Sequence, residues 1–161
     1  MELIVSCATG KGIVQDYVDR SPKALPFYGR HYAEEGVFED KALELDLRFD
    51  QDSRRRAADA LVVPVGADRS RLEAFVEDGG FMVTTGQQPG LYGGPLYSIY
   101  KGLTAVRVAE AAEAKLGKPV IPVFWVASDD HDWEEANHSY LINTENELCR
   151  FEVRGSKDQG R

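Results

Sequence analysis

Only two cysteines occur, Cys7 and Cys149, at opposite ends of the chain, and neither forms a C-x-x-C pair or a zinc-type spacing. That argues against a disulfide framework and against a thiolate metal site. Positive charge is also scarce. Nineteen lysines and arginines against 27 acidic residues leave a formal charge of −8, which opposes non-specific attraction to phosphate backbones and disfavours nucleic acid as a partner. No apolar run approaches the roughly 20 residues that span a bilayer, so no membrane association is expected. The opening "MELIVSCATGKG" has an acidic second residue and no basic n-region, unlike a secretory signal. These absences make a reducing cytoplasm the expected location.

Histidine is nearly as rare, with three in the chain. His131 and His138 are seven apart and no H-E-x-x-H is present, so the pattern supports no zinc site. His138, at the start of an expected strand, and His31, in an expected helical segment, read as structural. There is no G-x-S-x-G elbow, and neither cysteine has an activating neighbourhood.

What is present fits a folded α/β domain. Hydrophobic residues make up 43% and charged residues 29% of 161, typical of soluble globular chains. Residues 1–66 read as a helical amino-terminal segment packing on a core. Two short helices are expected around "IVQDYVDRSPKALPFYG", the second opened by Ser21 and Pro22. A longer one is expected in "DKALELDLRFDQDSRRRAADALVVPVG", stopping before Pro64. Arg54, Arg55 and Arg56 read as a solvated face balanced by Asp50, Asp52 and Asp59. Residues 67–161 read as the first part of a Rossmann-like core. A helix at "RSRLEAFVEDGG" precedes a strand, "FMVTT". A long helix with Leu96, Ile99, Leu103 and Val106 on its apolar face then leads to a continuous apolar strand, "PVIPVFWVAS". This is a βαβ unit over 80–127, with the second strand expected to be covered on both faces. A hairpin, "HSYLIN" then "ELCRFEV", follows. A doubly wound sheet usually needs more than two parallel strands, so the core reads as incomplete, the front of a larger domain.

Two loops carry the chemistry. In an open parallel sheet, ligands gather beyond the carboxyl ends of the strands. "TGQQPGLYGGP" has Gly86, Gly90, Gly93 and Gly94, which permit close backbone approach, and a helix N-terminus that favours anions. Gln87 and Gln88 add amides able to donate or accept. It is neither G-x-G-x-x-G nor G-x-x-x-x-G-K-[ST], and Lys101 lies inside the helix rather than at the end of a phosphate cradle. The glycines serve equally well as a plain connection, and Tyr92, Tyr97 and Tyr100 read more readily as packing. "SDDHDWEE" crowds carboxylates around His131 directly after an apolar strand. There His131 suits general acid/base work or phosphate contact, and acidic neighbours favour its charged form. Asp129, Asp130 and Asp132 suit orienting it, binding an amine or placing magnesium. The plainer alternative is that Ser128 or Asp129 caps the next helix.

Together, "VTTGQQPGLYGGPLYSIYK" and "GKPVIPVFWVASDDHDWEEANH" resemble the amino-terminal region of the bacillithiol biosynthesis cysteine-adding enzymes, also called cysteine ligases. The resemblance extends more loosely to "ALPFYG" and to the hairpin. It implies a bacterial, cytoplasmic ligase that forms a carbon–nitrogen bond between L-cysteine and glucosaminyl-malate, yielding bacillithiol. It also implies a Rossmann-like core of the nucleotidyl-transferase type, as in class I aminoacyl-tRNA synthetases and mycothiol ligase. On that analogy Gly86, Gln87, Gln88, Gly94 and Pro95 shape one wall of the site and the catalytic Asp130, His131 and Asp132 the other. Gly90, Tyr97, Ser128 and Asp129 complete the substrate-binding set. ATP with magnesium is implied by analogy as the means of activating the carboxylate. Members of that family are several times longer and end in a coiled coil that implies a homodimer. A non-catalytic module binding a sugar, nucleotide or carboxylate remains the alternative.

Overall fold

The computed structural model describes residues 12–28, 30–66, 68–129 and 132–154. Met1–Leu47 and Arg48–Arg161 form two compact units.

The first unit holds α1 (Ile13–Val18), α2 (Leu25–Tyr28) and most of α3 (Val37–Arg48). Helix α2 starts later than its Ser-Pro signal suggests. Ser21 and Pro22 instead form a turn in which Ala24 N–H donates to Ser21 O at 3.0 Å. His31 is buried, but it lies in the connection between α2 and α3, not in a helix. Its ring sits 5.0 Å from that of Tyr17 and 4.2 Å from that of Tyr32, while Nδ1 accepts from Ala33 N–H at 3.2 Å. That is a packing role.

The second unit begins with α4 (Gln51–Ala60) and α5 (Ser70–Glu77). The amphipathic run from Asp40 to Leu61 is therefore two helices. The break falls at Asp50, whose extended backbone and side chain cap α4 by accepting from Ser53 N–H at 2.8 Å. A good N-cap competes with continuing a helix through it. The arginine triplet is not uniformly solvated either. Arg54 is buried, donating through Nε to Gly80 O at 2.9 Å and lying 5.7 Å over the Phe81 ring. Arg55 pairs with Glu73, and Arg56 donates to Ser53 Oγ.

Strand β1 (Phe81–Gln87) runs parallel to β2 (Val120–Val126), joined by α6 (Leu96–Leu116) in the expected βαβ arrangement. Leu72, Phe75 and Val76 of α5 pack with Ala58 of α4 and Ile121 of β2 to form the core, with Met82 and Val123 against it. Helix α6 crosses both strands and ends at Gly117, which takes the left-handed conformation (φ 63°). Its buried face differs from the expected one. Ser98, Ala105, Ala109 and Ala112 are buried, whereas Leu96, Ile99 and Leu103 are more than half exposed. Small side chains let the helix backbone approach the sheet closely, and this turns the large apolar residues outward. The second half of β2 is likewise uncovered among the described residues, with Trp125 68% exposed, contrary to the expected two-sided burial.

The start of β2 is tied to α6 by Glu113, which accepts from Val120 N–H at 3.0 Å and from Arg71 at 2.6 Å. The Val120 amide, with the arginine adding to it, holds the Glu113 carboxyl below its ordinary range. A depressed carboxylate contributes stability above its unfolded-state range and loses it as pH falls through the folded value. Glu113→Gln is therefore expected to flatten the acid limb of the stability–pH curve, checked by urea midpoints at neutral pH and below the ordinary glutamate range.

After α7 (Trp133–Ala136), strands β3 (His138–Ile142) and β4 (Leu148–Glu152) form the expected antiparallel hairpin. Asn143 Oδ1 closes its turn by accepting from the N–H groups of Glu145 and Glu147.

Candidate functional site at the carboxyl ends of the parallel strands

Register decides whether the two loops can share a site. Gln87 pairs with Val126, the last residue of each strand, and Ala127 N–H donates to Gln87 O at 3.1 Å. Both loops therefore leave the same end of the sheet. Gly86 and Gln87 belong to β1 itself rather than to the loop that follows. A Cβ on Gly86 would lie 2.8 Å from Trp125 O, so glycine is what lets the strands approach there. Gly86→Ala is expected to cost about 1–3 kcal/mol through overpacking, read from the denaturant midpoint.

The first loop folds tightly on itself. A Cβ on Gly90 would meet Gly94 Cα at 2.7 Å, and Gly94 has φ 76°. Between them Leu91–Gly93 form a 3-10 turn lying near β3. Gln88 is half-buried ahead of the turn. Pro95 takes the N-cap position of α6, and its carbonyl accepts from Ser98 N–H at 2.8 Å. The Ser98 side chain is buried at the foot of this turn, with no partner for Oγ among the described residues.

A network that sequence reasoning missed links the strand to the helix. Lys101 Nζ donates to Gly86 O at 3.0 Å and to Gln87 Oε1 at 2.8 Å, while Gln87 Nε2 donates to Tyr97 OH at 3.1 Å. The detectable signal was spacing: Tyr97 and Lys101 stand at i and i+4 in the first turns of α6, on one face. With Thr104 and Val108 they line an open groove of about 440 Å³ beside Val83 and Thr85 of β1. Tyr97 is thus engaged in the polar network and is not merely packing.

The second loop is placed in part. Ser128 and Asp129 are exposed in the turn after β2. The cap of α7 is neither of them but Asp132, whose Oδ1 accepts from Glu135 N–H at 3.2 Å. Asp130 and His131 lie outside the described residues. His138 is structural: its Nδ1 lies 2.9 Å from Glu134 O and 3.2 Å from Asn137 Oδ1. Among the described residues no three histidine, cysteine or acidic side chains gather as metal ligands, and no helix is long and apolar enough to cross a membrane.

Comparison with protein families agrees with the motif reading. The family model described as "Bacillithiol biosynthesis BshC, N-terminal Rossmann-like domain" matches residues 1–161. The chain belongs to this family. A BshC relative from Heliobacterium modesticaldum, named "Putative cysteine ligase BshC", is 48% identical over 94 residues, covering 57% of this chain and 17% of the relative. A protein of the same name from Bacillus cytotoxicus is 34% identical over 137 residues, covering 81% and 25%. Another, from Symbiobacterium thermophilum, is 36% identical over 132 residues, covering 78% and 24%. The chain therefore matches a quarter or less of the length of these relatives. The parallel β1–α6–β2 unit lies within the residues that this Rossmann-like domain model matches.

Proposed function

We propose that this chain acts as the amino-terminal part of a cytoplasmic ligase that joins L-cysteine to glucosaminyl-malate through an amide bond, completing bacillithiol. The observation that carries this reading is the pairing of Gln87 with Val126, from which both motif loops depart at one end of the sheet. Amide formation needs an activated carboxylate and a deprotonated amine. In this reading His131 takes the proton from the attacking amine, and Asp130 with the remaining oxygen of Asp132 orients the imidazole or the amine. Ser128 and Asp129 face the substrate from the same turn.

The donor set around the first loop fits a phosphate-bearing group. Within the turn, Gly93 has no described atom within 4 Å of where a Cβ would stand, and Lys101 has no carboxylate partner among the described residues. ATP with magnesium, when bound, would supply the activation of the cysteine carboxylate. Gln88, the Gly90–Pro95 turn and Lys101 would hold its phosphates. The homodimer implied for full-length members belongs to the same reading.

The test is product formation. Full-length protein incubated with L-cysteine, glucosaminyl-malate, ATP and magnesium is expected to yield a species with the mass of bacillithiol. A folded protein that binds these molecules without forming it would instead support a non-catalytic binding module.

A further inference from the structure

The direction of each hydrogen bond in the Lys101–Gln87–Tyr97 network follows from chemistry. An ammonium group has three donors and no acceptor. Lys101 Nζ spends two of its hydrogens on Gly86 O and Gln87 Oε1, and the third has no acceptor among the described residues. Because the amide must turn its oxygen to the lysine, its nitrogen faces Tyr97, at 3.1 Å. The phenol oxygen therefore accepts, and its own proton is left to donate elsewhere. A phenol that accepts from an amide already polarised by an ammonium is a stronger donor than an isolated one.

Two donors with no further acceptor among the described residues thus stand close together, Lys101 Nζ lying over the Tyr97 ring, 5.5 Å from its centre. Tyr97 is 50% exposed. Lys101 lacks a carboxylate partner among the described residues, in a chain whose formal charge is −8. A cation with no carboxylate partner among the described residues, beside a committed hydroxyl donor on the same groove wall, suits a negatively charged acceptor better than a neutral one.

We infer that Tyr97 and Lys101 form a two-donor seat for an oxyanion, a carboxylate or phosphoryl oxygen, and that Gln87 is the positioning residue that holds it in that state. The inference rests on the ligase reading only for which oxyanion is bound. Replacing Tyr97 with phenylalanine removes one donor and keeps the ring. Replacing Lys101 with methionine removes the charge and frees the Gln87 amide to turn over, whereas arginine keeps both charge and donors.

The experiment is a titration of the isotope-labelled 161-residue chain with L-malate and, separately, with inorganic pyrophosphate, followed at the Gln87 side-chain amide resonances. Saturable shifts with at least one probe are expected. A response to malate alone assigns a carboxylate seat, a response to pyrophosphate alone a phosphoryl seat, and a response to both the shared chemistry. Y97F is expected to weaken binding about tenfold, as for loss of one hydrogen bond to a charged group, and K101M by at least as much, with K101R retaining most of it. No shift at Gln87 with either probe, or equal affinity in parent, Y97F and K101M with spectra that remain dispersed, overturns the inference. Ligation is read separately. Anion binding without product refutes the reaction and leaves the seat, whereas product with a K101M variant of undiminished anion affinity refutes the seat and leaves the reaction.

Discussion

Replacing His131 with alanine in the full-length polypeptide is expected to lower the ligation rate by about 10²–10⁴-fold, the usual worth of a positioned acid or base, with little change in the denaturant midpoint. The residue follows an apolar strand by only a few positions, and the strand end is pinned to β1 by the Ala127–Gln87 hydrogen bond. It is flanked by Asp130 and Asp132, and the latter already spends one oxygen on the α7 cap. Asp130→Asn is expected to lower the rate without abolishing it, because an amide can still orient an imidazole. Parent-like turnover in the alanine variant would take this loop out of the chemistry.

Arg54→Met should cost about 3 kcal/mol of stability, the largest effect we expect from a residue remote from the site. Methionine preserves much of the volume over Phe81, but it leaves the buried Gly80 carbonyl without its donor and removes the bond to Phe49 O. An unsatisfied buried acceptor costs roughly 1–3 kcal/mol, and a bond from a charged donor is worth about 1.5–3. Equilibrium unfolding in urea measures this directly. A loss below about 1 kcal/mol would mean that solvent reaches Gly80 O and that the arginine is the surface residue its neighbours suggest.

Much of the second unit is legible in the sequence. Gly117 ends α6, the β-branched and aromatic run 120–126 is a strand, and the β3–β4 hairpin turns where "TEN" interrupts two apolar runs. Each rests on local chemistry: a left-handed cap, side-chain branching, a turn. The choice of buried face on α6 was not legible, because both an alanine stripe and a larger apolar stripe run along the same helix. Hydrophobic size favours the second, whereas close helix–sheet contact selected the first. Arg54 misled for a related reason, since nothing in an arginine triplet shows which member meets a buried carbonyl 26 residues away.

The candidate site divides in the same way. From the sequence alone came the two motif blocks, their family and the expectation that both loops follow parallel strands, because those depend on residue order and local pattern. Only the tertiary structure decided that Gln87 and Val126 end side by side and that Lys101 reaches back to Gly86 and Gln87. Strand register and the reach of a long side chain depend on how segments far apart in sequence pack together, and no local pattern encodes them.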